Sequence, residues 1–140
     1  MSSNLSYAKA LLHENEYTCV LYDGEHTLTS MERGVKPLLI WLDGGEDMTP
    51  YSAADKVIGK GAAFLYVLLG IREIYTGVVS EGAREVLLSN GISLEYESCV
   101  EHIFNRNKTG FCPIESAVSE IKEPREALEV IRQTVRKLNS

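Results

Sequence analysis

Residues 52–70 read SAADKVIGKGAAFLYVLLG, and the fold turns on how this stretch is taken. Its second half, Gly61–Gly70, carries no charge. A helix that is apolar on every side is buried on every side. Ten such residues are too few to cross a bilayer. The stretch is therefore predicted as one core helix, with Ser52 as N-cap and Asp55 completing an approximate capping box. On that reading Asp55, Lys56 and Lys60 crowd the positive end of a buried helix, where anions are favoured. Gly59 and Gly61 would lie inside the helix, each about 1 kcal/mol worse than alanine. Close approach of another backbone or a ligand is the expected compensation.

Outward from this stretch, Asn4–His13 reads as a helix with Leu5, Ala8, Leu11 and Leu12 on one face. Tyr17–Tyr22 and Glu25–Thr29 are β-rich and flank Asp23-Gly24, the signal of a tight two-residue hairpin. Val35–Leu42 is apolar around Pro37 and predicts a short helix ending in the acidic run Asp43–Asp47. On the other side, Arg72–Val79 reads as a strand covered on both faces. Ser80 caps a helix over Glu81–Asn90, with Gly91 at its end. Ile92–Glu97 alternates as a strand with one wet face. Strand, helix and strand in that order make a parallel βαβ unit. Pro113 and Pro124 start two final helices, the first running to about Lys122. The second carries the stripe Ala127, Leu128, Ile131, Val135 and Leu138. The sum is one α/β domain over residues 1–140, a three-layer sandwich around a mixed sheet.

With 44% hydrophobic and 24% charged residues, the chain has a globular composition. A net charge of -6 argues against nucleic acid and anionic membranes as partners, since both select a basic face. No apolar run of the signal-peptide kind lies near the N-terminus, so the expected compartment is the cytoplasm. Three cysteines, Cys19, Cys99 and Cys112, without C-x-x-C spacing, do not suggest a disulfide framework.

The order of elements resembles the cytidine deaminase fold, in which a helix, a hairpin and a helix carrying H-A-E precede a strand and a helix opening with P-C-x-x-C. Aligned on Ala53-Ala54-Asp55 and Ser80-Glu81-Gly82-Ala83-Arg84, this chain has Ala53 where the zinc-binding His would be. Glu81 and Arg84 stand for the two Cys, and Asp55 for the proton-carrying Glu. A catalytic zinc needs three protein ligands, so the resemblance implies the scaffold without metal, cofactor or deamination. The stretches DKVIGKGAA, NRNKTG and FCPIE further resemble a family of uncharacterised prokaryotic proteins of this same fold.

Two clusters can carry chemistry. Lys56 and Lys60 suit a phosphate or carboxylate, with Asp55 as hydrogen-bond acceptor or general base. Solvated lysines and a merely capping Asp55 are the plain alternative. The loop Asn105-Arg106-Asn107-Lys108-Thr109-Gly110 can cradle an anion through backbone N–H groups, with Arg84 within reach. A solvated surface loop, and an exposed Glu81–Arg84 pair, are the plain alternatives there. The preferred reading is a zinc-free binder of a nucleotide-like or phosphate-bearing small molecule. A thiol enzyme is the second, with Cys112 as nucleophile at a helix start and Asp55 or Glu115 as proton carrier. A non-catalytic, homo-oligomeric interaction module using the C-terminal stripe is the third. Cys99-x-x-His102 with Cys112 is half of a metal-binding spacing.

Overall fold

A computed structural model describes residues 2–32, 34–103 and 112–138. The first helix, α1 (Ser3–Glu14), is capped by the Ser2 hydroxyl, which accepts from the Leu5 N–H. A hairpin follows, β1 (Cys19–Tyr22) and β2 (Thr27–Ser30), and then α2 (Lys36–Asp43), with Pro37 in its first turn. Tyr22 pairs with Thr27, so the turn is wider than the two residues that Asp23-Gly24 predicts. It is held by the Asp23 carboxylate, which accepts from the Glu25 and His26 N–H groups. Those two bonds hold that carboxyl down at about 2.

The stretch that was to be one helix is two elements. Ser52–Ile58 is strand β3, Gly59 is the N-cap, and only Lys60–Leu69 is helix α3. Alanine favours helix, but propensity yields to tertiary context. Here Ala53 and Ala54 are small residues in a strand flanked by β1 and β4 and packed on both faces. Their size lets α3 and α1 approach the sheet from opposite sides. Ser52 therefore caps no helix: its hydroxyl donates to Glu73 at 2.5 Å.

Beyond α3, Gly70 closes the helix with φ +79°. Strand β4 (Glu73–Ser80) follows. Next come α4 (Glu81–Ser89), capped by Ser80 through the Ala83 N–H, and β5 (Ser93–Val100). The sheet order is β2-β1-β3-β4-β5; β1 is antiparallel to both neighbours, and β3, β4 and β5 are parallel. The sequence predicts an α/β fold with a mixed sheet, and the structure has one, with β3 as a fifth strand beyond the four expected. Helix α5 (Pro113–Ala117) stops five residues short of the predicted end, and α6 (Pro124–Leu138) packs on α3 and α5. On α6, Ala127 and Ile131 are buried, Leu128 and Val135 join the core, and Leu138 alone of the stripe is exposed. One core lies between the sheet and α2–α6, and a smaller one, with Leu5, Ala8 and Leu12, lies under α1.

The clean alternation expected of the strands breaks at one level. Residues sharing a sheet face are an even number apart. Yet Ala53 and Ile58, Ile74 and Val79, and Leu94 and Cys99 are five apart and pack on the same core. The pairing skips Lys56, Gly77 and Glu97, which are level with one another. A fault thus crosses three strands. Gly77 is required there, because a Cβ would lie 3.0 Å from the Lys56 carbonyl oxygen. Val78, expected to be covered on both faces, is consequently only half-buried.

Candidate functional site

The three residues expected together at a helix start are separated by the strand. Asp55 lies within β3, buried; Lys56 follows it, exposed; only Lys60 begins α3. Alignment of Ala53-Ala54-Asp55 with a helix-borne H-A-E triplet therefore fails, because these residues are extended. Ser80–Arg84 does open a helix, as expected. Arg84 there donates to the Tyr96 hydroxyl at 3.3 Å and forms no salt bridge with Glu81.

The positive end of α3 is filled by the chain itself. Glu115, 7% exposed, accepts from the Lys60 N–H through Oε2 and from the Ile103 N–H through Oε1, both at 2.8 Å. Its carboxylate is where the helix partial charge and free N–H groups favour an anion. Lys60 Nζ donates to the Ser119 carbonyl at 2.7 Å, just past α5. The glycines complete the joint. A Cβ on Gly59 would lie 2.8 Å from Glu115 Oε2, and one on Gly61 would lie 2.5 Å from Ile114 Cγ2. The close approach expected at both glycines was of a backbone or a ligand; what approaches them is instead the side chains of Glu115 and Ile114 on α5. Gly82, at the start of α4, leaves room for Lys60, whose Cδ would stand 3.3 Å from a Cβ there. The starts of α3 and α4 thus share one corner with α5.

Cys112 is the N-cap of α5, half-buried against the core, without a side-chain cap bond. Its N–H donates to the Ile103 carbonyl at 2.8 Å. Asn105, Arg106, Lys108 and Thr109 lie outside the described residues. Among the described residues no three His, Cys, Asp or Glu side chains gather closely enough for a metal ion, so Cys99, His102 and Cys112 form no such group.

A buried cluster centres on Asp55. The Tyr66 hydroxyl donates to Asp55 Oδ2 at 2.6 Å, and Cys19 Sγ lies 3.1 Å from that hydroxyl. Asp55 Oδ1 accepts from the Val57 N–H at 3.3 Å. Burial pushes the Asp55 carboxyl from 3.8 up to about 7, against the lowering effect of those bonds. Burial, with Asp55 beside them, pushes the Cys19 thiol and the Tyr66 phenol well up. Neither Cys19 nor Tyr66 stands out in the sequence. The one available signal was that Cys19 leads a strand and Tyr66 lies two turns into the adjoining helix.

A second polar group, also unread from the sequence, lies beneath α1. The Tyr75 hydroxyl donates to Glu97 at 2.8 Å and meets His13 Nε2 at 3.1 Å. Lys9 sits over the Tyr75 ring and pairs with Glu95 at 3.1 Å. Burial, and then Glu97, push the Tyr75 phenol up to about 12.

Residues 7–135 match the TM1506 family, described as a domain of unknown function (DUF1893). The chain belongs to this family. In fold it is similar to the DUF1893 family protein TM1506 from Thermotoga maritima, with a TM-score of 0.85 and 23% identity over 98% of this chain and 92% of that one. No curated protein matches the chain. The family carries no assigned activity, so chemistry has to be argued from the residues. Among the described residues no helix is long and apolar enough to cross a membrane.

Proposed function

We propose that this chain binds a small molecule bearing a phosphate or a similar anionic group at the corner shared by α3, α4 and α5. One observation carries the reading: two N–H donors, from Lys60 and Ile103, already converge at 2.8 Å on a carboxylate at the start of α3. In open α/β sheets, ligands favour the carboxyl ends of parallel strands, and this corner lies beyond the ends of β3 and β4. An incoming anion competes with Glu115 for the two donors, and the Lys60 ammonium supplies the countercharge.

The scaffold reading is a zinc-free relative of the cytidine deaminases. The observed order α1, β1–β2, α2, β3, α3 follows that family's helix, hairpin, helix, strand, helix. In that order the zinc-bearing helices correspond to α2 and α3, one element earlier than Ser52–Asp55 and Ser80–Arg84 suggest. Their starts read Val35-Lys36-Pro37 and Gly59-Lys60-Gly61. None of these side chains is an ordinary zinc ligand.

Thermal melts with adenosine monophosphate, adenosine diphosphate and ribose 5-phosphate test the binding. Wild type gains a few degrees, and Glu115→Gln, a weaker internal competitor, gains more. Lys60→Ala loses the gain, whereas Lys56→Ala, four residues back on the strand, keeps it. Flat melting temperatures for all three compounds in wild type and Glu115→Gln would reject the proposal.

A further inference from the structure

The buried Asp55 cluster lies at the fault in the sheet, and the two features share their bonds. Asp55 and its partner Thr76 immediately precede the skipped residues Lys56 and Gly77. Each bonds across the skipped position: Asp55 Oδ1 accepts from the Val57 N–H at 3.3 Å, and Thr76 Oγ1 donates to the Val78 carbonyl at 3.0 Å. The other oxygen of Asp55 takes the Tyr66 hydroxyl of α3, which in turn meets the Cys19 thiol of β1. One carboxyl therefore joins β1, the faulted segment of β3 and α3. The titratable groups facing it are Cys19 from β1 and Tyr66 from α3. From β4 it meets Thr76, which does not titrate, and Lys56 beside it on β3 is exposed.

We propose that this cluster is a proton-held latch: a protonated Asp55 clamps α3 to the faulted sheet, and an ionised Asp55 lets the β1–β3–α3 contact open to water. The geometry gives the reason. A neutral carboxyl turns its own O–H to the Tyr66 oxygen, whose hydroxyl then points to Cys19 Sγ at 3.1 Å, and it keeps the long Val57 N–H bond, whereas a carboxylate in this apolar setting faces no cation from any of these elements. Burial holds the carboxyl up at about 7, and once open it returns towards 3.8. Between those values the closed form keeps a proton that the open form has released. The opening equilibrium then rises about tenfold per pH unit and levels off above about pH 7.

Cys19, 2% exposed, reports the opening. The experiment is alkylthiolation of the intact protein by a methanethiosulfonate between about pH 5.5 and 8, resolved by peptide mass spectrometry. Cys99 and Cys112, both half-buried, are internal controls. A thiol whose exposure does not change with pH reacts at most about tenfold faster per pH unit. The latch predicts about a hundredfold per unit at Cys19 below pH 7, breaking to about tenfold above it. Asp55→Asn reduces Cys19 to tenfold throughout. Tyr66→Phe removes a hydroxyl that favours the carboxylate, so the break moves to higher pH; this variant decides the matter if Asp55→Asn does not fold. A wild-type Cys19 rate rising only tenfold per unit overturns the latch. So does a hundredfold rise that survives Asp55→Asn, or a break that Tyr66→Phe leaves in place.

Discussion

Asp55 and Glu115 are buried to a similar degree, at 9% and 7% exposure, but they are held by different partners. Glu115 receives two backbone N–H groups at 2.8 Å, one of them from the first residue of a helix. Asp55 receives a phenol and the more distant Val57 N–H at 3.3 Å, with a thiol behind the phenol. The α3 end supplies fixed dipoles that suit a negative charge. The strand interior supplies neutral groups, and desolvation there outweighs them. At similar exposure the two carboxyl groups thus differ in the donors that meet them, and at Asp55 burial outweighs those donors.

The sharpest way to break this comparison is a pH series of urea melts on wild type and Asp55→Asn. The folded carboxyl is raised from 3.8 to about 7, so its stabilising contribution is complete below the lower value and is lost as pH rises through the upper one. Wild type should therefore lose, relative to Asp55→Asn, on the order of 4 kcal/mol between pH 4 and 7, at about 1.4 kcal/mol per unit. A difference that stays constant with pH would mean that Asp55 is not neutral in the fold.

Glu115→Ala should come next, at about 3 kcal/mol, because the half-buried Lys60 and Ile103 N–H groups both lose their acceptor. Glu115→Gln keeps an acceptor oxygen and should lose less than half as much in the same melts. Equal losses would show that packing rather than hydrogen bonding holds the joint. Gly61→Ala sharpens the same side of the comparison. A Cβ 2.5 Å from Ile114 Cγ2 forces α5 outward. The strain, about 2 kcal/mol, is partly offset by better helix propensity, about 1 kcal/mol. A net stabilisation in calorimetry would mean that α5 yields freely. The smallest effect belongs to an exposed carboxylate. Asp43 accepts both Arg132 bonds, at 2.6 and 3.0 Å, and this hydrogen bonding lowers its pKa. Asp43→Asn should shift the urea midpoint by no more than replicate scatter, because water screens such pairs.

Several elements were legible because their signals are local. Ser80 with its Ala83 bond, Pro37 and Pro113 in first turns, and the α1 periodicity each act within one turn of helix. The β4–α4–β5 unit followed from the order of those signals. Ser52–Ile58 was read as helix because alanines and a serine–aspartate spacing suit a capped helix as well as a buried strand. Of the named site residues, Lys60 and Glu115 came together and Asp55 and Lys56 did not join them. Glu115 was expected to serve Cys112, and its actual partner N–H groups lie 55 and 12 residues away.

By itself, then, the sequence determined the class of the fold, the buried helical run after Lys60, and the parallel unit after it. Each rests on propensity, capping or spacing within a few residues. Only the tertiary structure decided that residues 52–58 are strand, that three strands change the facing of their side chains at Lys56, Gly77 and Glu97, and that Cys19 and Tyr66 flank Asp55. Those outcomes depend on what packs against each face and on N–H groups far along the chain, and no local pattern of residues encodes either.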